Sequence, residues 1–113
     1  MAGECVVYVT CPDRATATSL ADALVTERLA ACVNMVPGID SVFWWEGRLD
    51  RAQEVLLIIK TTRRRLAALT KAVRQRHPYD VPEVIALPIQ AGHPPYLAWV
   101  RQSVRPAPRG RSR

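Results

Sequence analysis

Few side chains in this sequence are placed to do chemistry, and His77 heads them. It is one of two histidines and lies in RQRHPYDVPEVIALP, residues 74–88. An imidazole is a common ligand for copper(II) and zinc near neutral pH. A lone histidine is not a site, since a stably held ion takes about three or four ligands. His77 also has a plain structural reading. It precedes Pro78, which disfavours helical geometry, so a helix ends there. A histidine at a helix C-terminus can donate to free carbonyls and complement the dipole. Cys11 offers a thiol near the start of the first expected helix, where its pKa would fall. With His77 as base it would form a nucleophile–base dyad, although a buried, inert cysteine accounts for it more simply.

A second constellation joins Lys60, at the end of a strand, to Tyr79, Glu83 and His77 beside another strand. Converging on a cleft between subunits, they would form a pocket for a small anion or metabolite. The plainer reading is a salt bridge between Lys60 and Glu83 across a subunit boundary. No Gly-rich phosphate loop, HExxH or GxSxG is present. The expectation is a protein that is not an enzyme.

The elements that must position these residues follow from hydrophobic period and turn chemistry. ECVVYVTC, residues 4–11, is β-branched and aromatic-rich and stops at Pro12, which predicts a buried strand. Asp13 then caps a helix in which Leu20, Leu24 and Ala31 form one stripe, with Ala17 and Ala21 beside it. CVNMVPGIDSVFWW, residues 32–45, reads as a strand with a bend or bulge at Pro37-Gly38. Glu46-Gly47 is a two-residue turn, so RLDRAQEVLLIIKT returns antiparallel. Each arm of that hairpin is more than twice the usual strand of about five or six residues. Phe43, Trp44 and Trp45 make both faces of its tip apolar, the pattern of an oligomer interface.

TRRRLAALTKAVRQR is a second helix, PEVIALPI a further buried strand, and PPYLAWVRQSV a short third helix with Pro95 near its start. The order β-α-β-β-α-β with an added C-terminal helix is the ferredoxin-like α+β pattern, an antiparallel sheet with helices on one face. The strands read as continuous apolar runs, so the opposite face needs cover as well, and a neighbouring subunit is the natural source. Residues 1–104 form a single domain, followed by a basic tail over residues 105–113.

Composition bounds the function. The net charge of +6 owes four of its charges to Arg105, Arg109, Arg111 and Arg113, in a Pro/Arg/Gly/Ser-rich tail that cannot build a core. The tail could meet phosphates weakly, but a solvated terminus is the simpler reading. Arg63, Arg64 and Arg65 likewise read as a solvated helix face rather than a phosphate site. No run of about 18 apolar residues is present to cross a membrane. The first residues carry an acid before their apolar run instead of the basic region of a signal peptide. Three cysteines without CxxC spacing argue against a disulfide framework or a closed zinc site. A cytoplasmic protein with neither nucleic acid nor membrane as partner is expected.

The segments LVTERLAACVNMVPGIDSVFWWEGRLD, EVLLIIKTT and HPYDVPEVIALPI, followed by YLAWV, resemble the CutA family of divalent-cation tolerance proteins. The likeness covers nearly everything but the arginine tail. It implies the ferredoxin-like fold, a very stable homotrimer built through the long hairpin, and a role in tolerance of copper and other divalent metals. In family members with a proposed copper site, a first-strand cysteine joins two histidines immediately before Pro-Tyr. Only His77 matches that pattern; Arg76 stands where the other histidine would be, and Val9 where the cysteine would be. Cys11 shares a strand face with Val9, about 7 Å further on, and is the stand-in thiol. A cation at Arg76 opposes a metal there. The resemblance therefore implies no tightly bound cofactor, and weak or indirect binding of copper or another divalent ion at His77 and Cys11. The alternative is a PII-like trimeric scaffold or small-ligand regulator without a metal role.

Overall fold

The computed structural model describes residues 3–106. The chain runs β1 (Glu4–Cys11), α1 (Arg14–Thr26), β2 (Cys32–Trp45), β3 (Arg48–Thr62), a 3-10 turn (Arg63–Arg65), α2 (Leu66–Arg76), β4 (Ile85–Pro88) and α3 (Pro94–Ser103). The four strands form one antiparallel sheet in the order β2-β3-β1-β4. This is the expected α+β architecture. The basic tail from residue 107 onward lies outside the described residues.

Alternation decides which face of the sheet each side chain takes. On β1, Cys5, Val7, Val9 and Cys11 are buried, and their neighbours on β3, Val55, Leu57 and Ile59, are buried with them. Ala17, Leu20 and Leu24 of α1 and Leu69 and Val73 of α2 close this core. Asp13 starts α1 by accepting the Thr16 N–H at 2.8 Å. The opposite face carries Val6, Tyr8, Leu56 and Ile58, which are only half-buried. It is partly reached by α3, whose Arg101 pairs with Glu4 at 2.8 Å.

The hairpin turns at Glu46 (φ 51°) and Gly47 (φ 79°), a two-residue turn with both residues left-handed. The register slips between Val36 and Ile39, a bulge at Pro37-Gly38. The arm lengthens the molecule: the longest dimension is 53 Å and the radius of gyration 15.3 Å. A compact chain of this length would have a radius of about 13 Å.

Two local expectations fail. Helix α1 ends at Thr26, and Ala31 packs instead with Val100 and Val104 of the C-terminal segment. The chain turns away through Arg28, whose φ of 59° a glycine would adopt more readily. β4 is not a buried strand, since all four of its residues are exposed. It is a sheet edge with a neighbour on one side only, so among the described residues no further strand covers it.

Candidate functional site

His77 caps the C-terminus of α2, and its N–H still reaches the Val73 carbonyl at 2.8 Å. Its backbone is extended (φ −84°, ψ 138°), as a residue before proline should be. The imidazole is folded inward and only 7% exposed. Nε2 lies 2.7 Å from the carbonyl oxygen of Thr10, and Nδ1 accepts the Tyr79 N–H at 3.1 Å. A carbonyl can only accept, so Nε2 carries the proton and the ring is the neutral tautomer. His77 therefore ties the end of α2 to the end of β1, rather than donating to the last carbonyls of its own helix. Both nitrogens are spent on backbone.

Cys11 ends β1 one residue beyond that carbonyl and is fully buried on the helix side. Burial, then the charges of Asp13 and Glu54, push its thiol up to about 11. That is the reverse of the activated thiol a dyad would need. Arg76 points to Glu27 and pairs with it at 2.7 Å. Among the described residues, no three His, Cys, Asp or Glu side chains gather where they could hold a metal ion.

The second constellation divides. Tyr79 and Glu83 do line a common cleft of about 700 Å³ against the outer half of the hairpin. Lys60 does not join them. It lies six residues along β3 from Glu54, opposite Val6 and Cys32, and its Nζ binds the Asn34 side chain. Six strand residues span about 20 Å. Within one chain, Lys60 therefore stands apart from the cleft that Tyr79 and Glu83 line.

A carboxylate that sequence reading passed over takes the central place. Glu54 is 7% exposed, and its Oε2 accepts the Tyr79 hydroxyl at 2.8 Å. Burial, then the hydrogen bond and charge of Glu54, push the Tyr79 phenol up to about 12. Asp50, Asp80 and Glu83 add three more carboxylates to the lining, and among the described residues no lysine or arginine takes part in it. Phe43 and Trp45 supply aromatic walls. Register explains the membership: Phe43 faces Asp50, and Thr10 shares their side of the sheet. Trp44 points the other way and stands 75% exposed at the tip. The signal for Glu54 was one acid immediately before the apolar run VLLIIK, but nothing local names Tyr79 as its partner.

Comparison with known proteins identifies the family. A model of the CutA1 divalent ion tolerance protein family matches residues 5–103. The chain belongs to the CutA1 family. It is 55% identical over 100 residues to the chloroplastic Protein CutA 1 of Oryza sativa, covering 88% of this chain and 56% of that protein. The chain thus spans about half the length of that plant relative. The divalent-cation tolerance protein CutA of Thermus thermophilus is 48% identical, with 88% of this chain and 97% of that one covered. The crystal structure of the Oryza sativa CutA1 superposes with a TM-score of 0.88 at 54% identity, covering 90% of this chain and 94% of that one. Among the described residues, no helix is long and apolar enough to cross a membrane.

Proposed function

We propose that this CutA1-family chain serves divalent-cation tolerance as a homotrimer, meeting cations weakly at its carboxylate cleft, without enzymatic activity and in the cytoplasm. The observation that carries the reading is the cleft itself, lined among the described residues by four carboxylates and no basic side chain. Hard and borderline divalent ions bind carboxylate oxygens through retained water when too few ligands converge for a closed site. Such binding is weak, in keeping with the absence of a three-ligand cluster among the described residues. His77 and Cys11 are poor ligands in comparison, one saturated by backbone and the other a buried protonated thiol. Relatives named as divalent-cation tolerance proteins, in Thermus thermophilus and Escherichia coli, support the role.

The trimer rests on apolar surface that one chain leaves uncovered. Trp44, Leu49, Ile85 and Leu87 are each about half exposed or more, and β2 and β4 are open sheet edges. Such edges and patches are normally covered by another chain. Light scattering on the purified protein should return three times the chain mass; a monomer would remove the oligomer from the proposal.

Calorimetric titration of copper(II) and zinc tests the cation reading. Weak binding that survives His77→Ala and is lost in Glu54→Gln/Glu83→Gln is the expected result. Loss in His77→Ala alone would return the site to the imidazole. A second reading, a small-ligand regulator of the PII-like sort, is favoured by the three rings of Phe43, Trp45 and Tyr79 in the same cleft. Aromatic rings beside carboxylates suit an organic cation, and a cleft indifferent to metals but responsive to an organic amine would select it.

A further inference from the structure

The arginines that look like separate solvated patches in the sequence meet in space. A second cleft of about 730 Å³ opens where the 3-10 turn after β3 faces the last turn of α3. Arg64 and Arg65 line it from one side, and Arg101 and Arg105 from the other. No carboxylate belongs to the lining. Arg101 is offset by Glu4, and Arg65 donates through Nε to the neutral carbonyl of Arg28 at 3.2 Å. Arg64 and Arg105 enter no ion pair among the described residues.

The lining also includes a hydroxyl. Thr62 lines the cleft while only 5% exposed, and its side chain makes no capping bond to the helical turn that follows it. Its hydroxyl is a polar group on the lining that can donate to a phosphate oxygen. Gln102 supplies a further amide donor at the rim. Like charges around one cleft repel one another, and a bound polyanion reverses the sign of that interaction.

We propose that this cleft binds a short oligophosphate chain, with Arg64, Arg65, Arg101 and Arg105 gripping the phosphates and Thr62 hydrogen-bonding one of them. Guanidinium forks match phosphate oxygens two at a time, which makes arginine the side chain suited to this anion. Several charges spaced along one ligand suit several arginines spaced around one cleft, as a single phosphate does not. The volume lies within the range of about 300–1,000 Å³ common for small-molecule sites. No aromatic side chain lines the cleft, so a nucleobase would gain no stacking there. The recognised chemistry is the phosphate chain, whether free or carried by a nucleotide. The arginines surround one pit instead of forming an extended stripe, which disfavours a long nucleic acid.

Calorimetry on the full chain decides it, with sodium tripolyphosphate as the probe at low salt and again at about 150 mM, where screening weakens exposed charge pairs. Saturable binding is expected, weakened at least about tenfold in Arg64→Gln/Arg105→Gln. Arg14→Gln/Arg74→Gln removes the same charge from exposed helix positions outside the cleft and should leave affinity within about twofold. Both targeted arginines are exposed, so the variants should stay folded, which circular dichroism verifies. ATP should bind about as tightly as tripolyphosphate. Equal losses in the two double variants would reduce the effect to diffuse charge and overturn the proposal. So would loss confined to Arg109→Gln/Arg111→Gln/Arg113→Gln, or single-stranded RNA binding far more tightly than tripolyphosphate. Absence of binding at low salt overturns it outright.

Discussion

The two ends of the sheet hold charge in opposite ways. At the Cys11 end, acid is drawn inward: Glu54 is almost buried and is kept there by the hydroxyl of Tyr79, while His77 stitches β1 to α2 below it. At the Glu4 end, base stays outside, and the arginines of the 3-10 turn and α3 ring a cleft without carboxylates. The carboxylate end is therefore part of the packing and the arginine end is mostly surface. Burying a charge demands partners inside the protein, whereas water supplies them at the surface. Substitutions should cost stability at the first end and alter only ligand affinity at the second.

The largest effect should come from His77→Ala, which strips two hydrogen bonds from a buried connection and leaves a cavity. A loss of about 2–4 kcal/mol in chemical denaturation is expected; a loss below about 0.5 kcal/mol would mean that the imidazole is not the stitch described. Tyr79→Phe comes next. It leaves Glu54 without its hydroxyl partner, and a hydrogen bond to a charged group is worth about 1.5–3 kcal/mol.

Alkaline pH sharpens the same contrast. Cys11 and Tyr79 are both held protonated by folding, with pKa values raised to about 11 and about 12. A group whose folded pKa is raised lends stability below its unfolded pKa and loses it as pH rises toward the folded value. Stability should accordingly fall between about pH 9 and 11 through Cys11 and between about pH 10 and 12 through Tyr79. Tyr79→Phe should remove the upper part of that fall and spare the lower, in denaturation midpoints measured across the range. The smallest effect belongs to the other end: Arg64→Gln should change stability by no more than about 0.5 kcal/mol. A larger loss would mean that the arginine cleft is structural.

Local rules read much of this protein from its letters. The β-branched run ECVVYVTC ending at Pro12 placed β1, Glu46-Gly47 placed the hairpin turn, and Pro37-Gly38 placed the bulge, because each depends on residues adjacent in the chain. Pro78 likewise marked the end of α2. Lys60 sits six residues along β3 from Glu54, so within one chain it stands apart from Tyr79 and Glu83, a separation that no local pattern announces. β4 looked buried because its residues are apolar, and hydrophobicity does not say whether a strand lies at a sheet edge.

What the sequence determined by itself was the set of elements, the long aromatic-tipped arm and, through motif resemblance, the family. Tertiary structure alone decided which charged groups meet. Glu54 and Tyr79 are 25 residues apart and join through a hydrogen bond. Arg64 and Arg105, on separate elements, meet only when α3 folds back toward the end of β3. Hydrophobic period and turn chemistry act over a few residues and leave a local trace. Which side chains converge depends on strand register and helix docking, and these are settled by packing across the whole chain.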